Sequence, residues 1–196
     1  MSNDGRTKLF LAPTEEPLTV EQVKDHLRVD GTDQDIWIEE RIVAAREYCE
    51  GFQNRAYITQ TWDLYLDWFS CGDCCIKIPK PPLVSVTSIT YLDTAGVSQT
   101  LAASTYKVDT VSELGRIALA YGQSWPSTYD EINTVVIRFV AGYGAAAAVP
   151  KRVTQAMYLL IGHWFENRET VLTGTISKEV EFSVESLLWQ ERVVPI

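Results

Sequence analysis

Ile36-Trp-Ile-Glu-Glu-Arg-Ile-Val-Ala-Ala-Arg-Glu-Tyr-Cys-Glu-Gly-Phe52, followed shortly by Thr61-Trp-Asp-Leu-Tyr-Leu-Asp-Trp-Phe69, decides the fold. In the first stretch Ile38, Ile42, Ala45, Cys49 and Phe52 step by four, three, four and three, which lines them along one helix face. Glu39, Glu40, Glu47 and Glu50 fall off that seam and read as solvated. In the second stretch Trp62, Leu64, Leu66 and Trp68 alternate with Asp63, Tyr65 and Asp67, the period of a strand. The chain changes its period between the two.

Upstream, Pro17-Leu18-Thr19 announces an earlier helix. Thr19 as N-cap and Gln22 three residues on form a capping box, and Val20, Val23 and Leu27 share a face. Asp30-Gly31-Thr32 ends it, and Asp33 or Asp35 caps the next helix, at the dipole end that favours an acid. Downstream of Phe69 the pattern stays β. Ile76–Ile78 is short and runs into Pro79, Pro81 and Pro82. Val84–Leu92, the turn Asp93-Thr-Ala-Gly96, Val97–Leu101, Tyr106–Val108, Arg116–Leu119 and Thr134–Val140 follow.

Gly142, Gly144 and Ala145–Ala148 lead back to a helix over Lys151–Asn167, with Pro150 at its start. There Val153, Ala156, Met157, Leu160 and Trp164 form a stripe that Tyr158, Leu159, Ile161 and Phe165 widen almost all round. Such a helix is central in its fold or pressed against a neighbour. Thr170–Glu181 reads as a loop or loose hairpin, and Ser183 caps a last short turn holding Leu187, Leu188 and Trp189. The apolar end Val193-Val-Pro-Ile196 invites a partner or folds back.

The expected class is α+β: a small helical bundle from N- and C-terminal helices with an inserted antiparallel β-sheet or barrel-like region. The expected parts are an arm over 1–16, a helical core from 17–57 and 149–168, a β-rich insertion over 58–148, and a loop, short helix and tail over 169–196.

Composition bounds the function. At 196 residues and 46% hydrophobic content the chain can bury a core. No apolar run approaches a bilayer-spanning length, so no membrane partner is expected. Met1–Lys8 lacks the apolar centre of a secretory signal, which points to synthesis in the cytoplasm. A net charge of −9 disfavours adhesion to phosphate backbones.

Catalytic chemistry is missing from the pattern: no GxSxG, P-loop, HExxH or spaced acidic pair occurs. Gly142-Tyr-Gly144 lacks the lysine and frame of a phosphate loop. His26 and His163 read as packing residues, and Cys49 as a small core residue. Cys71, Cys74 and Cys75 resemble half a zinc knuckle, but no second Cys/His pair completes four ligands, so a turn between strands is the expectation. No catalytic residue, metal or cofactor is expected. Trp62, Trp68 and Trp125 could stack on sugars, though aromatics on alternating strands usually form core.

An ordered set of segments carries a resemblance. Pro17-Leu-Thr-Val-Glu-Gln-Val-Lys-Asp-His-Leu-Arg-Val-Asp30 is similar to the opening of the tailed-phage head–tail connector proteins, the HK97-type adaptor family. Ala44-Ala-Arg-Glu-Tyr-Cys-Glu50, Asn54-Arg-Ala56, Thr59-Gln-Thr-Trp62, Pro82-Leu-Val-Ser-Val86, Ile89-Thr-Tyr-Leu-Asp93, Trp125-Pro126, Val140-Ala-Gly-Tyr143, Val149-Pro150 and Trp164-Phe-Glu-Asn-Arg-Glu169 continue it. Relatives often show a proline before the paired leucines, and Phe182-Ser-Val-Glu-Ser-Leu-Leu188 has none.

The resemblance implies a structural protein of a phage or gene transfer agent, made in a bacterial host and carried in the particle's neck. It implies a ring, typically of twelve copies, that binds the portal protein after DNA packaging. A stopper or tail-terminator protein would dock on the ring, the capsid could touch it, and DNA would pass without sequence-specific binding. On that reading Ile38, Ile42, Val153, Met157, Leu160 and Trp164 are subunit-interface residues. Leu187, Leu188, Trp189, Val193, Val194 and Ile196 are the portal-binding anchors. The rival reading is a carbohydrate-binding or host-recognition β-module.

Overall fold

The computed structural model describes residues 5–69, 75–167 and 176–194, with side chains from 182 onward in the last stretch. The fold is α+β, in two compact units: a β unit of Met1–Pro13 and Thr59–Gly142, and a helical unit of Thr14–Ile58 and Tyr143–Ile196.

The helical unit contains α1 (Val20–Leu27), α2 (Asp35–Gln53), α3 (Lys151–Glu166) and α4 (Ile176–Trp189). The capping box at α1 is present in both directions: Gln22 N–H donates to Thr19 Oγ1 at 3.2 Å, and Thr19 N–H to Gln22 Oε1 at 3.0 Å. Arg28 ends the helix in the left-handed region, φ 57°. At α2 the expected acidic cap is absent. Gln34 occupies the cap without a side-chain bond to the helix's first N–H groups, and Asp35 instead meets Lys24 Nζ at 2.8 Å. The acid is drawn to a cation on α1 rather than to its own helix end.

One apolar cluster joins the four helices. Val23, Ile38, Ile42, Ala45, Cys49, Val153, Ala156, Met157, Leu160, Ile161, Val184 and Leu188 are all buried in it. α4 corrects the expectation of a loop with a short final turn, because it already runs helically from Ile176. Ile176, Val180, Val184 and Leu188 recur every four residues, a helical stripe that the polar residues between them conceal.

The β unit holds β1 (Arg6–Leu11), β2 (Gln60–Leu66), β3 (Cys75–Lys77), β4 (Leu83–Leu92), β5 (Ser98–Thr100), β6 (Tyr106–Asp109), β7 (Arg116–Leu119) and β8 (Val135–Ala141). They form two antiparallel sheets, ordered β1-β2-β8-β4-β5 and β3-β7-β6. Leu64 pairs with Ile137 and Ile137 with Ile89, all buried on one face. On the opposite face Asp63 pairs with Arg138 in register, and their side chains form two bonds of 2.8 Å.

The arm expected over residues 1–16 is in part a strand: Arg6–Leu11 pairs with β2 along its length. Both faces of β1 are largely exposed, so its sequence shows no alternation to read. Gly115 marks a close approach inside the unit. A Cβ there would lie 2.4 Å from Leu83 Cδ2.

Candidate functional site

α2 ends in Gln53-Asn54-Arg55, where three polar side chains reach the last described stretch of the chain. Gln53 is fully buried. Its Nε2 donates to the Leu188 carbonyl at 2.6 Å, its Oε1 accepts from Tyr57 Oη at 2.6 Å, and its own carbonyl accepts Val193 N–H at 2.9 Å. Asn54 turns the chain in the left-handed region, φ 55°, and its Nδ2 donates to the Val193 carbonyl at 2.9 Å. Arg55 Nε donates to the Glu191 carbonyl at 2.5 Å.

α3 holds the same stretch by its first turn. Arg152 reaches Glu191 Oε1 at 2.6 Å and Gln190 Oε1 at 3.1 Å. Tyr143 Oη donates to Glu191 Oε2 at 3.5 Å; burial first, offset in part by Arg55, leaves its phenol harder to ionise than usual. The segment after α4 is thus tied by backbone and side chain alike.

Behind this clamp lies a buried ionic chain. Arg46 meets Glu16 at 2.7 Å and Glu50 at 2.9 Å, and Glu50 also accepts Tyr57 N–H at 2.7 Å. Burial works against the charge on Arg46, but Glu16 and Glu50 together outweigh it and hold the guanidinium ionised. Burial drives the Tyr57 phenol far above its ordinary range, so it stays a neutral donor to Gln53.

The outer side of α4 exposes two large apolar side chains, with Glu185 and Ser186 exposed between them. Phe182 and Trp189, seven residues apart and so on one side of the helix, are 74 and 62% exposed, while Val184 and Leu188 face inward. Trp189 lies 6.4 Å from Phe52, and Arg192 stands over both rings at 4.7 Å from Phe52 and 5.2 Å from Trp189. Val194, just beyond the clamp, is 67% exposed.

The residues named for the subunit interface lie elsewhere than on a free surface. Ile38, Ile42, Val153, Met157 and Leu160 are buried in the protomer's own cluster, and Trp164 packs partly against it. Two helices' apolar stripes meet each other, which leaves those five side chains no surface to offer a neighbour. Of the portal-binding set, Leu188 is likewise buried. Leu187 is half-buried against the cluster, and Val193 is half-buried and bonded to Gln53. Trp189 and Val194 are exposed, and Ile196 lies outside the described residues.

The sequence reading missed Gln53, Asn54, Arg55, Tyr143 and Arg152 as a group. One signal was available: Gln53 follows Cys49 by four residues, so a polar side chain occupies the seam.

Elsewhere, Cys71 and Cys74 lie outside the described residues and Cys75 is half-buried in β3. Among the described residues no group of three His, Cys, Asp or Glu could hold a metal ion, and no helix is long and apolar enough to cross a membrane. His26, expected as a packing residue, is exposed and lies 4.7 Å from the Tyr158 ring with the two planes tilted by 35°. In the β unit Trp125 stacks on buried Phe69 at 4.8 Å, and Lys80 covers the Trp62 ring at 5.5 Å. Both tryptophans are half-buried.

The sequence matches the head completion protein family over residues 16–183. No curated protein sequence matches the chain. Among solved structures, a chain in the neck of an empty gene transfer agent particle, determined with C6 symmetry, is 27% identical. It superposes with a TM-score of 0.78 over 97% of each chain. A chain in the virion of a native gene transfer agent particle is 26% identical with a TM-score of 0.77, over 97% of this chain and 96% of that one. One in the neck of a native particle, determined with C12 symmetry, is 26% identical with a TM-score of 0.70, over 96% and 97%.

Proposed function

Because the chain belongs to the head completion protein family, we propose that it is a structural subunit in the neck of a phage-like particle, repeated there as a ring. The family is a structural one, not an enzymatic one. The likeness to neck chains of gene transfer agent particles, end to end and at 27% identity, is the observation that carries this reading. The C12 symmetry of one such neck supports twelve copies.

The finer roles belong to the same proposal. The ring binds the portal protein through the outer side of α4 and the residues after it, and presents its other side to a stopper or tail-terminator protein, with the capsid as a further neighbour. Of the anchors proposed from sequence, Trp189 and Val194 remain available, joined by Phe182 and Arg192. Large apolar groups beside an arginine are the kind of residues that dominate interface energies. The clamp at Gln53–Arg55 fixes where Val194 leaves the helical unit, which lowers the ordering cost of docking. DNA passes through the ring without sequence-specific contact, because a net charge of −9 gives no counterion-release reward for adhesion.

The test is capture of the full chain by the portal protein of the same particle. Trp189→Ala with Val194→Asp leaves the buried cluster untouched and is expected to reduce capture at least tenfold, about 1.4 kcal/mol or more. Undiminished capture by that variant removes the C-terminal stretch from the portal interface.

A further inference from the structure

In the five-stranded sheet, β1 and β5 are the end strands, each with a neighbour on one side. They lie at opposite ends of one row of strands, about 19 Å apart at the usual spacing. The two ends carry opposite charge. β1 reads Arg6-Thr-Lys-Leu-Phe-Leu11, with two cations and no acid, and Leu9, Phe10 and Leu11 are 41, 56 and 57% exposed. Three consecutive exposed apolar residues on a strand edge are what proteins ordinarily avoid, because the edge templates further pairing.

The other end is acidic and also partly apolar. The turn between β4 and β5 carries Asp93, and Val97 after it is exposed. Asp93 accepts bonds from Ala95 N–H, Val97 N–H and Gln99 Nε2, all at about 3 Å. The segment before β8 comes to the same corner: Tyr129 N–H donates to the Leu92 carbonyl at 3.0 Å. It brings exposed Tyr129, followed in sequence by exposed Asp130 and Glu131, to the strand residue before Asp93.

We infer that the β1 edge of one copy of this chain docks on the β4–β5 corner of the next copy. The inference rests on the neck reading above and names the surfaces that close its ring. Rotational rings require each copy to present two unlike faces that fit one another, and here a single sheet carries both. Pairing of β1 with β1 across a two-fold axis would put two cationic strands together with no acid on either to offset them. Charge therefore favours the head-to-tail contact, cationic edge on acidic corner, with Leu9 and Leu11 covered by Val97 and Tyr129.

The experiment uses the full chain with Leu11→p-benzoylphenylalanine, mixed in equal parts from unlabelled and 15N-labelled preparations and irradiated at the highest soluble concentration. Mixed-isotope cross-links from position 11 to residues 93–100 or 128–132 are expected. Lys8→Glu is expected to cut their yield about fivefold, the scale of one rim charge pair, and adding Glu131→Lys to recover it. Cross-links confined to one chain, mixed-isotope links elsewhere, no links at all, or a yield indifferent to Lys8→Glu would each overturn the inference. Portal capture measured on the same cross-linker variant separates the two readings: capture without the expected links removes this contact and leaves the neck assignment standing.

Discussion

Gln53 uses both ends of its amide and its own carbonyl on the chain's C-terminal stretch and Tyr57, in a site without water access. Replacing it with alanine orphans the Leu188 carbonyl and the Tyr57 hydroxyl together. The expected loss is about 1–3 kcal/mol, the cost of leaving buried polar groups unpaired, read from chemical denaturation of the Gln53→Ala variant. Cys49, one turn earlier, tests the same interior from another side. Burial first, then the Glu50 carboxylate, pushes its thiol up to about 12, and only the thiolate is nucleophilic. At pH 8 the folded chain should leave Cys49 unmodified by iodoacetamide, and unfolding in urea should expose it fully, as peptide mass mapping would report. Cys49 stood on the α2 seam as read, and Gln53, one turn further on, did not. Cysteine there read correctly as a small core group, whereas glutamine's partners are supplied by residues more than a hundred positions away and leave no local trace.

At the scale of elements, the ionic chain Glu16–Arg46–Glu50 ties the lead-in to α1 onto α2. Arg46 and Glu50 are buried, at 8 and 10% side-chain exposure, and Glu16 is half-buried. Arg46→Met would take the guanidinium away from both Glu16 and Glu50. Removing one partner of a buried pair costs about 3–5 kcal/mol, and adding Glu50→Gln should recover part of it by neutralising one acid while keeping an acceptor for Tyr57. Denaturation of the single and double variants checks the coupling. In the β unit, Gly115→Ala forces a methyl toward Leu83, with an expected loss of about 1–3 kcal/mol from overpacking. The elements themselves were unequally legible. α1, α2, α3 and the strands from β2 to β8 announce themselves by capping, period and turn residues. β1 does not, since an edge strand exposed on both faces has no reason to alternate. α4 was hidden for the opposite reason, its apolar stripe diluted by Ser177, Lys178, Glu179 and Glu181.

At the scale of the whole molecule, the apolar helix surface that suggested a covering of sibling copies is covered by the chain itself. Val153, Met157 and Leu160 of α3 face Ile38 and Ile42 of α2, and α4 adds Val184 and Leu188. Periodicity reveals that a face is buried but not whether the burying surface belongs to the same chain, which is why the interface named from sequence became core. Among the described residues, exposed apolar groups stand instead on the outer side of α4 in one unit and at the two ends of the five-stranded sheet in the other, besides single residues such as Ile36, Val111 and Tyr121. None of these places changes the sign of the molecule's field, which is set by 26 acidic against 17 basic residues. A protein past which DNA slides should repel a phosphate backbone at long range, and low salt should deepen that repulsion, since the screening length grows as salt falls. Fluorescence anisotropy of a labelled duplex at low ionic strength is expected to stay flat up to about 100 µM chain, the weak end of ordinary non-specific binding. A rise in anisotropy that salt abolishes would mean that Arg6, Lys8 or Arg192 gathers phosphate despite the net charge, and the account of passive passage would fail with it.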